Sequence, residues 1–155
     1  MSRAAEVLAA FRAKGWQLVT AESCTGGLIS GALTAVPGSS DVVDRGFVTY
    51  SNAAKIEMLG IRPETLERVG AVSEEIAREM AEGALSRSNA HVTVSVTGIA
   101  GPGGSEHKPE GRVCFAIATS LGTISETRDF GAIGRDNVRY ETVAHALEML
   151  LAAAH

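Results

Sequence analysis

The sequence predicts an α/β protein, a three-layer α/β/α sandwich built on a mixed sheet. Three observations lead there. Helical patterns precede, separate and follow the extended runs. Residues 91–97 alternate strictly, with Val92, Val94 and Val96 on one side and Thr93, Ser95 and Thr97 on the other, as a strand does. Arg112–Thr119 and residues 123–130 are joined only by Ser120, Leu121 and Gly122, a link short enough to force an antiparallel hairpin and so a mixed sheet.

Each element has its own signal. Residues 4–14 put Val7, Leu8 and Phe11 on one helical face, and Gly15 stops that helix. Residues 16–20 are a short apolar strand, and residues 26–35 have the small and aliphatic spacing of a packed helix. Pro37, Gly38, Ser39 and Ser40 form a loop, residues 42–50 return as an extended piece, and Ser51 caps a helix over residues 52–59. Pro63 suits the first turn of a short helix to Arg68. Ser73, Glu74 and Glu75 open a longer one to about Arg87, with acidic residues where the helix dipole favours them. The strand over 91–97 runs into a glycine-rich loop, 98–111, and then the hairpin. Residues 138–153 close the chain as a helix with Val143, Leu147, Leu150 and Leu151 on one stripe. No internal repeat or composition break divides the chain, and residues 1–155 are expected to form one domain.

An apolar content of 45% is enough to fill a core, and a net charge of -4 provides no general field to attract nucleic acid or an anionic membrane. Neither is expected as a partner, and any anion site must be local. Cys24 and Cys114 lie far apart and form no C-x-x-C pair, so no disulfide framework or zinc ribbon is indicated. No metal ligand cluster is present, and no cofactor is expected. No apolar run approaches the roughly 20 residues of a membrane helix, and the N-terminus lacks a signal-peptide pattern, so a cytoplasmic protein is expected.

Chemistry concentrates at two junctions. In Ala21-Glu22-Ser23-Cys24-Thr25-Gly26-Gly27, hydroxyls and paired glycines stand where a strand gives way to a helix. Backbone N–H groups there can hold a phosphate, a carboxylate or a developing oxyanion. In Tyr50-Ser51-Asn52-Ala53-Ala54-Lys55, Tyr50 ends an extended piece and Lys55 sits about one turn into the next helix, so both lean toward one crevice. A third segment, Thr97-Gly98-Ile99-Ala100-Gly101-Pro102-Gly103-Gly104-Ser105, follows a strand and lets the backbone approach a ligand closely. It matches neither the P-loop nor the dinucleotide fingerprint, and G-x-S-x-G is absent.

Taken in order, these segments and Lys108-Pro109-Glu110-Gly111 resemble the CinA C-terminal domain family over nearly the whole chain. The resemblance implies a nicotinamide-nucleotide amidase of α/β/α fold, which takes a small nucleotide as substrate and works as a homo-oligomer. It implies Ser23 as nucleophile, where residue type alone allows a helix cap. No histidine lies in the matching motifs: His91, His107, His145 and His155 read as structural or solvated. Lys55 is then the better base, although an isolated lysine on a helix is ordinarily solvated. Tyr50 would relay the proton or orient Ser23. Backbone N–H groups of Cys24, Thr25, Gly26 and Gly27 would hold the oxyanion. Thr25 or Thr97 would add a hydroxyl, and Gly98 and Gly101 would bring the backbone close to phosphate. Arg135, in the segment before the last helix, would pair with that phosphate, or else with Asp136. The chain departs from the family at Gly103-Gly104, one residue shorter, and at Glu110, where relatives carry a hydrophobic residue. That keeps another small amide open as substrate, and a silent nucleotide- or partner-binding domain is the rival from a different class.

Overall fold

The computed structural model describes residues 1–155. Six α-helices and five strands follow in the order α1 (Arg3–Lys14), β1 (Leu18–Glu22), α2 (Leu28–Thr34), β2 (Val43–Val48), α3 (Asn52–Leu59), α4 (Pro63–Val69), α5 (Glu74–Ser86), β3 (Val92–Gly98), β4 (Arg112–Thr119), β5 (Gly122–Asp129) and α6 (Arg135–Ala153). The strands form one sheet in the order β2-β1-β3-β4-β5. β1 is parallel to both β2 and β3, whereas β4 runs antiparallel to β3 and to β5, so the sheet is mixed.

Strand alternation decides which layer each side chain meets. Leu18, Val92, Val94, Val96, Val113, Phe115 and Ile117 face α1, α2 and α6, where they pack with Phe11, Ile29, Leu33 and Leu150. Val19 and Ala21 face α3 and α5, against Leu59, Ile76 and Met80. Cys114, Ala116 and Ala118 meet Ala77 and Ala81 of α5. The polar side of β3 is buried as well: Ser95 Oγ donates to the Ala77 carbonyl at 2.6 Å and Thr97 Oγ1 to the Ala71 carbonyl at 2.9 Å. The sheet is therefore covered on both faces, the three-layer sandwich expected.

The boundaries that matter most moved. β1 spans Leu18–Glu22 rather than residues 16–20, because Trp16 turns aside to pack edge-on against Phe11 and to stack on His91, while Ala21 and Glu22 continue the parallel pairing with β2 and β3. Helix α2 starts at Leu28 rather than Gly26, since Gly26 and Gly27 have φ of 58° and 104° and cannot belong to a right-handed helix. Ser39–Asp41 is a short 3-10 turn within what reads as loop. The last helix begins at Arg135, three positions ahead of Val138. Ser51 caps α3 as expected, its Oγ accepting the Ala54 N–H at 3.0 Å.

Candidate active site

The carboxyl ends of parallel β1 and β3 lie side by side, and the chain leaving each of them lines a cleft of about 340 Å³. Ser23 is the first residue beyond β1; its N–H is tied to the Val96 carbonyl of β3 at 3.2 Å and its side chain is buried. Lys55, one turn into α3, is 1% exposed. Its Nζ lies 3.0 Å from Ser23 Oγ, 2.9 Å from the Thr49 carbonyl and 3.2 Å from the Tyr50 carbonyl. Burial pushes the Lys55 pKa down from its ordinary value. Negative charge on Cys24 or Glu106 would oppose this, but burial drives the Cys24 thiol up to about 12, so at neutral pH Cys24 is an uncharged thiol in the wall of the cleft. A neutral amine at Nζ has two N–H bonds and one lone pair. With its two N–H bonds on the Thr49 and Tyr50 carbonyls, such an amine would turn its lone pair toward Ser23 Oγ.

Tyr50 is expected to relay a proton between Ser23 and Lys55 or to orient Ser23, and in the structure its carbonyl and its hydroxyl have separate partners. Its carbonyl accepts from Lys55, but the residue is 60% exposed and its hydroxyl accepts from Arg135 Nη2 at 2.9 Å. With Lys55 already in direct contact with Ser23, a phenol relay has no gap to bridge. Arg135 spends another N–H on the Gly101 carbonyl at 2.7 Å and makes no ion pair with Asp136. It bridges the two walls of the cleft and keeps its remaining donors free.

Of the remaining expected residues, Cys24, Thr97, Gly98 and Gly101 line the cleft, whereas Thr25, Gly26 and Gly27 stand behind it. The hydroxyls assigned to phosphate are engaged elsewhere: Thr25 Oγ1 donates to Glu22 at 2.7 Å and Thr97 Oγ1 to Ala71. The Gly26 N–H is spent on the Ser23 carbonyl at 3.0 Å, while the Cys24 N–H meets no protein oxygen. Of the four residues whose amides are expected to hold an oxyanion, Cys24 alone lines the cleft. The glycine-rich loop is anchored rather than loose: Glu110 Oε1 accepts the Gly103 N–H at 2.6 Å, and Lys108 Nζ donates to the Val69 and Val72 carbonyls. Glu110 therefore has a local function, as the carboxylate that folds this loop back on itself.

Two residues escaped sequence reasoning. Glu22 is wholly buried and takes donors from α2. Its signal was a charged side chain ending an otherwise apolar strand. Arg139 donates to the Cys24 and Thr25 carbonyls at 3.1 Å and 3.3 Å, clamping the turn that carries Ser23 onto α6. It lies four residues after Arg135, so helical spacing places both on one face. A larger apolar groove at the opposite end of the sheet has His91 as its single titratable residue, with Nδ1 accepting the Gln17 N–H, and it carries no comparable chemistry. No three His, Cys, Asp or Glu side chains gather as metal ligands.

The CinA C-terminal domain matches residues 1–154. The nicotinamide-nucleotide amidohydrolase PncC of Enterobacter agglomerans is 50% identical over 147 residues, covering 94% of this chain and 90% of that protein. The protein of the same name from Escherichia coli (strain K12) is 49% identical over 151 residues, covering 97% and 92%. The crystal structure of the competence/damage inducible protein CihA from Agrobacterium tumefaciens superposes with a TM-score of 0.95 at 52% identity, covering 99% of this chain and 94% of that one. Matched from end to end in sequence and in fold, the chain belongs to the CinA C-terminal domain family.

Proposed function

We propose that the protein hydrolyses the carboxamide of nicotinamide mononucleotide to nicotinic acid mononucleotide and ammonia, as a cytoplasmic homo-oligomer acting in pyridine nucleotide salvage. The observation that carries the chemistry is the buried contact of 3.0 Å between Lys55 Nζ and Ser23 Oγ, with two carbonyls holding the amine in place. The substrate follows from the relatives named nicotinamide-nucleotide amidohydrolase at about half identity over nearly the whole chain.

Ser23 Oγ attacks the carboxamide carbon as its proton passes to the lone pair of Lys55. The oxygen that becomes negative is received by the Cys24 N–H. Lys55 returns the proton to the nitrogen as the C–N bond breaks, so ammonia leaves and a nicotinoyl ester remains on Ser23. Water, deprotonated by the same lysine, attacks that ester, and Lys55 returns the proton to Ser23 Oγ as the acyl–oxygen bond breaks and the acid is freed. Arg135 pairs with the phosphate through its unspent donors, and Tyr50, held by Arg135, forms a wall for the pyridine ring.

Ammonia release by the purified protein tests this, with nicotinamide mononucleotide beside nicotinamide riboside and free nicotinamide. Release from the mononucleotide alone, lost in Ser23→Ala, is the expected result. Nucleotide binding without release from any of them would leave a binding domain with a silent site.

A further inference from the structure

We propose that Glu22 is a positioning residue for the nucleophile, closing the start of α2 from within the protein and thereby fixing the turn that presents Ser23. The inference rests on the reading of Ser23 as nucleophile. Glu22 ends β1 on the face toward α2 and is 0% exposed. Its Oε1 accepts the Thr25 hydroxyl at 2.7 Å and the Ile29 N–H at 2.9 Å, and its Oε2 accepts the Ser30 N–H at 2.9 Å. Donors before and after the paired glycines thus converge on one carboxylate, and the residues enclosed between Glu22 and Thr25 are Ser23 and Cys24.

The surroundings complete the frame. Thr20 and Ser30 share a hydrogen bond of 2.6 Å just below the carboxylate. The Ser23 N–H is held by Val96 of β3, and Arg139 of α6 grips the Cys24 and Thr25 carbonyls. The turn is fixed to the sheet, to α6 and, through Glu22, to α2. Without the carboxylate, the buried N–H groups of Ile29 and Ser30 lose their acceptor, and the first turn of α2 must shift or admit water. Attack geometry tolerates little of that, since reacting atoms need to meet at roughly 3 to 3.5 Å. One consequence concerns the substrate: the Ile29 and Ser30 N–H groups at the start of α2 are spent on Glu22 and are not open to a phosphate.

The test uses Glu22→Gln, Thr25→Val and Thr25→Ser in the full chain, assayed for ammonia release well below each variant's unfolding temperature. Glutamine keeps the shape but sets an NH2 against one of the N–H or O–H donors. Expected is a fall in kcat of roughly 10- to 100-fold in Glu22→Gln, with KM changed by less than about threefold. Thr25→Val should lower kcat in the same manner, and Thr25→Ser, which restores the hydroxyl, should recover it. A folded Glu22→Gln with the parent kcat would overturn the proposal, as would loss of activity that only tracks loss of folded protein. If Glu22→Gln does not fold, equal kcat in Thr25→Val and Thr25→Ser overturns it. Ser23→Ala run alongside separates the two readings: turnover surviving there removes the nucleophile, whereas a silent Ser23→Ala beside a fully active Glu22→Gln removes only the role of Glu22.

Discussion

Lys55 Nζ and Ser23 Oγ stand 3.0 Å apart in a buried pocket although 32 residues separate them in the chain. The strand order makes this possible: β2 lies beside β1, so α3, which follows β2, starts next to the turn that follows β1. Arginine at position 55 would carry a fixed positive charge and could not give up a proton to serve as a base. Lys55→Arg should therefore lower kcat by about 10²- to 10⁴-fold, the usual share of a general base, with the folded fraction unchanged by circular dichroism. Activity within tenfold of the parent would remove Lys55 from proton transfer.

The same burial sets a pH dependence. Only neutral Lys55 can accept the serine proton, so kcat/KM should rise with pH through the lowered pKa of Lys55 and level off before its ordinary value of 10.5. Stability follows the same sign. Between the lowered folded value and 10.5 the unfolded chain binds a proton that the folded chain does not, so stability rises with pH across that window. Below it, the full cost of burying the cation is present. Denaturant titrations of the parent and Lys55→Met over the alkaline range should show the parent gaining relative to the variant; a constant difference would place the pKa of Lys55 at its unfolded value.

Arg135 joins the tip of the glycine-rich loop to Tyr50 across the cleft. Its loss should remove a charge-assisted contact worth roughly 1.5 to 3 kcal/mol, equivalent to a KM raised about 10- to 100-fold for the mononucleotide. Lysine should rescue only part of this, because it keeps the charge but not the fork that bridges Gly101 and Tyr50. Equal KM values for Arg135→Ala and the parent would move phosphate recognition elsewhere.

The layers, the hairpin and the caps at Ser51 and Ser73 were legible because each depends on local spacing. Ser23, Lys55 and Arg135 were legible as motif positions. Their partners were not, because hydrogen-bond partners are set by tertiary approach. Thr25 and Thr97 read as ligand hydroxyls yet donate to Glu22 and Ala71, and Tyr50 read as a relay yet contributes its carbonyl to Lys55. The helix start read as an open anion site because nothing in a linear pattern shows that the preceding glutamate folds back onto it. Glu110 read as a departure, and only the folded loop reveals the Gly103 N–H it receives.

Two glycines in helices should respond in opposite directions to the same substitution. A Cβ at Gly83 in α5 would lie 2.1 Å from the Leu59 carbonyl oxygen, a backbone atom at the end of α3 that cannot rotate away. A Cβ at Gly31 in α2 meets nothing within 4 Å. Alanine normally favours a helix interior over glycine by roughly 0.5 to 1 kcal/mol, so Gly31→Ala should raise the unfolding temperature. Gly83→Ala should instead lower stability by about 1 to 3 kcal/mol, because overpacking outweighs the helix preference. It should also lower kcat, since pushing Leu59 away displaces the short helix that carries Lys55 to Ser23. Calorimetry on both variants, with ammonia release from each, checks the pair; a stabilised, fully active Gly83→Ala would mean that α3 and α5 can part without disturbing the site.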